Sequence, residues 1–389
     1  MTTPPRGFDD TEFAARCTHL QAAMAQADVG AVLLTSEAEI RYFTGFMTQF
    51  WQSPTRPWFV VIPSSGKPIA IIPSIGMPLM RQCYTENIIS WASPAANDDG
   101  ITLLADVIHK HVGKDGRLGM LMGRETAVRM PLADLFGLQQ RLGTTHLHDM
   151  TADIQKIRMV KSPAEQVKLR HICGLVSDVF ADVPRWLQPG MSFDNCFRRF
   201  KIEALERGVD DVSYLVGGIG PGGYDDIIAP PVSKALATGD VLMFDTGCIW
   251  DGYYSDFDRN FAIGSASAEA QDAHKKLFDA TEAALSILRP GITAADLFAT
   301  MHDILCPDRS SGRDDVGRYG HGLGIQLTET PSHTSWDTTE IKAGMALTIE
   351  PSASYGSRFI MVAEENILVH EDHVELLTTR APRDLPVIN

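Results

Sequence analysis

Val241-Leu-Met-Phe-Asp245-Thr-Gly-Cys-Ile-Trp-Asp-Gly-Tyr-Tyr-Ser-Asp256-Phe-Asp-Arg259 is an apolar, β-rich run that carries one aspartate, turns at Asp251-Gly252 and returns carrying a second. The spacing predicts a hairpin with Asp245 and Asp256 on paired strands. Side chains opposite one another across a hairpin share a face at about 5 Å between Cβ atoms, so one cation can be gripped by both. An aspartate flanked by Leu242, Met243 and Phe244 is costly to bury without a counter-charge, and a metal ion is the simplest one. For this pair alone, two solvated or turn-capping aspartates are the plain alternative. Cys248 falls on the other face of the strand from Asp245 and reads as a packed thiol.

Three residues further along the chain add weight to the metal. His321 lies in Gly320-His321-Gly322-Leu-Gly324, where glycines let backbone approach a ligand and leave the imidazole uncovered. Glu350 ends the apolar run Leu347-Thr-Ile, directly before Pro351, which stops strand pairing. Glu364 is expected in the middle of a long strand, Arg358 to Val369, where a charge has no structural purpose. Four acids and one histidine on strand-like segments do not make a surface pattern.

These five residues resemble the metal ligands of the pita-bread metallopeptidase family M24, which includes Xaa-Pro aminopeptidase, prolidase and methionine aminopeptidase, with creatinase as a metal-free relative. Gly239-Asp240 before Asp245, Gly-Tyr before Asp256, Arg259 after it and Glu364-Glu365-Asn366 follow the same wording. The resemblance implies that Asp245 chelates one ion, that Asp256 and Glu364 bridge both, and that His321 and Glu350 complete the other. It also implies an α+β fold, a C-terminal pita-bread domain with a smaller α/β creatinase-type N-terminal domain, and a homodimer.

One nitrogen among carboxylate oxygens is a hard donor set, which favours Mn²⁺ or Fe²⁺, with Co²⁺ and Zn²⁺ compatible. Two divalent ions about 3.5–4 Å apart activate water and polarise a carbonyl, so attack on an amide is the expected chemistry. Two departures bear on the substrate. The family pattern has a second histidine seven residues after the metal-binding one, where this chain has Thr328 before Glu329, and a further histidine where it has Ile228. Those histidines steady the substrate carbonyl and move protons. Thr328, Glu329, Tyr224 and Asp225 are the expected replacements, with Tyr224 in a substrate-binding role.

Phe50-Trp51-Gln-Ser-Pro-Thr-Arg56-Pro57-Trp58 resembles a creatinase segment whose arginine reaches the neighbouring subunit's site and holds a substrate carboxylate. Arg56 is expected to do the same across a homodimer, since guanidinium binds carboxylate bidentately. Trp58 and Trp51 would wall an apolar or cationic group. Three readings compete. The first is a dinuclear hydrolase cleaving an Xaa-Pro-type dipeptide. The second is an enzyme of the same scaffold acting on a small carboxylate-bearing solute, in the manner of ectoine hydrolase, creatinase or DMSP lyase; Gly247 stands where the lyase has an extra aspartate. The third is a binding protein, which intact ligands disfavour.

At 389 residues, 44% hydrophobic, the chain has material for two cores, and the helix signal Ser162-Pro163-Ala-Glu165 marks a boundary giving domains 1–157 and 158–389. Before it, helices over Asp10–Gln26 and Ile101–Val112 alternate with strands at Ala31–Leu34, Pro57–Pro63, Pro68–Pro73 and Leu118–Met122. After it, helices over Ser162–Phe180, Phe193–Arg207 and Ala268–Leu288 are expected to cover one face of an antiparallel sheet whose other face holds the site. A balance of 34 basic against 49 acidic residues gives −15, which argues against nucleic acid and anionic membrane as partners. Six scattered cysteines, no membrane-length apolar stretch and no leader-like start point to the cytoplasm.

Overall fold

The computed structural model of the chain describes residues 3–53, 57–307 and 317–389. Two compact units divide at Arg158/Met159.

In the first unit, a helix over Asp10–Ala27 starts where the Asp9 carboxylate accepts the backbone N–H groups of Thr11 and Glu12. Its Phe13, Cys17, Leu20 and Met24 are buried, the stripe expected from their spacing. Six strands, β1 (Ala31–Leu34), β2 (Phe59–Pro63), β3 (Ile69–Pro73), β4 (Asn87–Trp91), β5 (Arg117–Met120) and β6 (His146–Asp149), form one mixed sheet in the order β4-β3-β2-β1-β5-β6. β1 to β3 are buried at every position, which is why they read as unbroken apolar runs. Trp58, expected to wall a substrate, is a core residue: it is 2% exposed and packs on Phe46 and Trp51. A bulky indole before a central strand had more apolar surface to gain inside its own unit. Arg56 lies outside the described residues.

The second unit opens on the helix Pro163–Trp186, whose Ser162 and Glu165 form a reciprocal capping box. The helix Phe193–Glu206 follows, then β7 (Asp211–Val216) and β8 (Ile219–Pro221). The quoted hairpin is β9 (Asp240–Trp250) and β10 (Tyr253–Ile263), joined by Asp251 and Gly252, both at positive φ as a two-residue hairpin turn requires. β10 pairs with β18 (Val387–Ile388), giving a sheet β18-β10-β9-β7 with β8 beside β9. A second sheet, β12-β11-β13-β16-β17, consists of Glu329–Ser332, His321–Gly322, Ala346–Ile349, Glu365–Val369 and Val374–Leu376. A short pair, β14 (Ser352–Tyr355) and β15 (Phe359–Val362), forms a separate two-stranded sheet.

Strand alternation assigns the two faces of the hairpin. Leu242 and Phe244 of β9 and Phe257, Arg259 and Phe261 of β10 share the face covered by the two leading helices. There the Phe244 ring meets Trp186, Phe193, Phe197, Phe200 and Phe261 at centroid distances of 5.5–6.4 Å. Asp245 and Gly247 of β9 and Asp256, Asp258 and Asn260 of β10 share the opposite face. The aromatic cluster therefore anchors the strand from behind, one residue from a candidate ligand. Phe244→Ala should cost about 3–5 kcal/mol of stability; urea unfolding followed by circular dichroism measures it, and a loss under about 1 kcal/mol would contradict this packing.

Candidate metal centre

The hairpin register differs in one respect from the sequence expectation. Asp245 lies directly opposite Asp258, and Asp256 opposite Gly247, so Asp245 and Asp256 are diagonal neighbours. The two-residue turn pairs Trp250 with Tyr253, and counting back from it places Asp258 across from Asp245. Three acids, not two, therefore share this face of the hairpin. Glu364 also departs from expectation: it stands in the break between β15 and β16, not in mid-strand. The apolar run is continuous, but its halves pair with different strands, β15 with β14 and β16 with β13. At the break the Ala363 N–H donates to Pro351 O and the Glu364 N–H to Asp258 Oδ1 at 3.0 Å.

The three residues Glu364-Glu365-Asn366 divide the work. Asn366 clamps the backbone of Asp256, accepting its N–H at 2.9 Å and donating to its carbonyl. Glu365 turns to the helix face, where it accepts from Arg259 at 2.9 Å and Arg380 at 3.1 Å. Arg259 also donates to the Glu364 carbonyl at 3.0 Å, holding that residue from behind. Only the Glu364 side chain is left for the site, and its Oε1, like Oδ2 of Asp258, is buried with no hydrogen-bond partner among the described residues.

His321 is placed by Gly320, whose φ of +123° and clearance from Thr348 O, 2.4 Å for an added Cβ, admit no side chain. The His321 N–H donates to Thr348 Oγ1 at 3.1 Å. Nδ1 lies 2.9 Å from Gly322 O, and a carbonyl only accepts, so the ring proton sits on Nδ1 and the Nε2 lone pair is free. Nε2 stands 3.5 Å from Asp256 Oδ2 and 4.0 Å from Glu350 Oε2. Ligand atoms of Asp256, His321 and Glu364 fall within 4.8 Å of one another. Glu350 follows β13 directly, its N–H bonded to Tyr319 O, and is half-buried with 28% side-chain exposure.

Charge crowding shows in the acidities. Burial pushes the Asp245 carboxyl up to about 6, and burial with the nearby Asp245 charge pushes Glu350 up to about 7. Asp256, Asp258 and Glu364 are raised well above the ordinary range, first by burial and then by neighbouring carboxylates, Asp245 foremost for the two aspartates and Asp256 for Glu364. Burial lowers His321 to about 3, leaving it a neutral donor. Acids that resist ionisation, beside an imidazole with a free lone pair and carboxyl oxygens lacking partners, fit the hard donor set of a divalent metal centre.

Tyr214, which residue spacing gave no reason to single out, belongs here. Its hydroxyl lies 2.9 Å from Asp245 Oδ1 and 2.5 Å from Asp256 Oδ1. Tyr224, expected to bind substrate, is instead 3% exposed, with its hydroxyl donated to Asn260 Oδ1 in the core. Its neighbour Asp225 is exposed. Thr328 is half-buried just before β12, and Glu329 is buried in an ion pair with Lys161 at 2.6 Å. Ile228 is 77% exposed. A buried histidine absent from the expectations, His333, packs behind Gly320 with Nδ1 3.4 Å from Tyr319 O.

The model of metallopeptidase family M24 matches residues 167–371, and that of the creatinase/prolidase N-terminal domain matches residues 16–160. A protein named probable dipeptidase PepE from Mycobacterium tuberculosis is 26% identical over 388 residues, covering 98% of each chain. The crystal structure of dipeptidase PepE from Mycobacterium ulcerans is 27% identical with a TM-score of 0.84, covering 98% of this chain and 99% of that one. Recombinant prolidase from Thermococcus sibiricus has a TM-score of 0.86 at 24% identity, covering 98% and 100%, a likeness of fold.

The raised acids carry a pH signature. A carboxyl that keeps its proton to higher pH when folded than when unfolded makes stability fall as pH rises between the two values, for Glu350 from its ordinary 4.5 to about 7. His321 and His333, both lowered by burial, act in the opposite direction, and comparing a variant with the wild type cancels them. In chelator, Glu350→Gln should unfold at higher urea than wild type at about pH 7.5, with the two curves converging near about pH 4. Curves that coincide at both pH values would refute the crowding argument.

Proposed function

This chain belongs to metallopeptidase family M24 and is a metal-dependent hydrolase; on that premise we propose that it is a dinuclear dipeptidase cleaving the amide bond of a small peptide, with Xaa-Pro dipeptides as the substrate class. The observation that supports the proposal is the cluster of Asp256, His321 and Glu364, whose ligand atoms lie within 4.8 Å of one another around a histidine with a free Nε2 lone pair. Asp245 would hold one ion, His321 and Glu350 the other, and Asp256 and Glu364 both. Two ions so held supply an activated water and a polarised carbonyl when bound. Manganese is the first choice for this oxygen-rich set, with iron, cobalt and zinc behind it.

The chain's own residues prepare the rest. Asn366 fixes Asp256 through both backbone groups, Arg259 carries the carbonyl of Glu364, and Gly322 O fixes the tautomer of His321. Lys161 compensates Glu329, so the acid next to Thr328 can stay charged while buried. We assign the orienting role of the family's missing histidine to Thr328 and Glu329. Arg56 would bind the substrate carboxylate, reaching the partner's site in a homodimer. Among the described residues no helix is long and apolar enough to cross a membrane, and we place the enzyme in the cytoplasm.

Metal analysis followed by a substrate screen tests this reading. The manganese-loaded protein should hydrolyse Xaa-Pro dipeptides, lose activity in chelator and regain it with metal. Turnover of ectoine, creatine or DMSP without any dipeptide cleavage would overturn the peptidase assignment. Arg56→Ala should raise KM roughly tenfold or more for a carboxylate-bearing dipeptide with kcat little changed; an unaltered KM would remove Arg56 from the site.

A further inference from the structure

Three strands bring one tyrosine to two candidate ligands by a route that needs a bulge and a gap. β7 pairs with β9 through Asp211↔Ile249 and Val212↔Cys248, then resumes at Tyr214↔Gly247. Ser213 is the extra residue of a β-bulge, its hydroxyl donated to Gly247 O at 2.9 Å. Without that insertion the register would place Ser213 at Gly247 and turn Tyr214 to the helix face. With it, Tyr214, Gly247 and Asp256 form one row across β7, β9 and β10 on the acid face. Asp256 is two strands from Tyr214, yet the hydroxyl reaches it. The phenol ring crosses above the central strand, where Gly247 has no side chain.

A Cβ at Gly247 would meet Tyr214 Cε1 at 2.6 Å and Cδ1 at 2.8 Å, and Leu327 Cδ1 at 2.5 Å, all far inside contact distance. Gly247 is not among the positive-φ glycines, so its backbone conformation admits any residue. The requirement for glycine there is space. We propose that Tyr214 is a positioning residue of the metal centre, its hydroxyl fixing the separation and rotation of Asp245 and Asp256, and that Gly247 is glycine because the ring must pass over it. This inference rests on the two-metal reading. Groups that orient metal ligands typically change metal affinity about 10–100-fold when removed.

The test is calorimetric titration of metal-stripped full-length protein with Mn²⁺. Tyr214→Phe keeps the ring in the gap and removes only the hydroxyl, so a packing role predicts no effect. We expect two ions per wild-type chain, and in Tyr214→Phe at least one of them bound about 10–100-fold more weakly, with an unchanged circular dichroism spectrum. Gly247→Ala should produce a comparable loss in the Tyr214 background and no further loss on top of Tyr214→Ala. Wild-type affinity in Tyr214→Phe would overturn the inference alone, as would an equal effect of Gly247→Ala with and without the tyrosine. A wild-type protein that takes up no manganese would overturn the two-metal reading and this inference together.

Discussion

Mutual repulsion among Asp245, Asp256, Asp258, Glu350 and Glu364 is the constraint around which the second unit is built. Carboxylates a few ångströms apart in a medium of low polarity repel by several kcal/mol per pair, and desolvation adds to that. Left to themselves they would separate, protonate or draw in water. The fold prevents the first mainly by fixing backbones: Asn366 grips Asp256, Asp258 holds the Glu364 amide, and Arg259 holds the Glu364 carbonyl. Each device acts through main-chain atoms or a neighbouring group, so most carboxyl oxygens stay available to cations.

Charge is balanced differently on the two sides of the hairpin. Behind it, Glu365 is compensated by Arg259 and Arg380. On the acid face the candidate ligand acids have Tyr214 as a donor and a neutral His321, and the positive charge of Arg318 draws Asp256 and Glu350 down without offsetting their burial. Compensation by residues makes an inert structural pair; the acid face, whose carboxyls stay raised, suits the metal ions proposed for it. Two adjacent glutamates, Glu364 and Glu365, thus have opposite purposes because one peptide unit turns them to opposite sides.

Much of this was legible in the sequence. The hairpin, its turn and the capping box at Ser162 follow from residue types and local spacing, as does the choice of five candidate ligands. Asp258 opposite Asp245 was legible too, because a two-residue turn at Asp251-Gly252 fixes every pairing above it. Tyr214 was not: its direction depends on a one-residue bulge at Ser213 that has no composition signal, and Gly247 alone does not say what fills the space above it. The break at Glu364 was hidden because apolar residues flank it on both sides and only long-range pairing separates them. Tyr224 and Trp58 were misassigned for one reason: aromatics near a site in sequence lowered their free energy more by entering a core than by lining a cleft.

The candidate ligands are scattered along the chain from position 245 to position 364, on two sheets and the joints between strands. During synthesis the Asp245–Asp256 hairpin leaves the ribosome long before Glu350 and Glu364 exist, and two aspartates hold a hydrated divalent ion only weakly. The cation therefore cannot serve as the seed of folding, as zinc does in a small finger domain. On the two-metal reading it arrives as a clasp, closing a scaffold that hydrophobic packing has already assembled, so metal supply governs how much of the folded protein is competent and adds to a stability the scaffold already has.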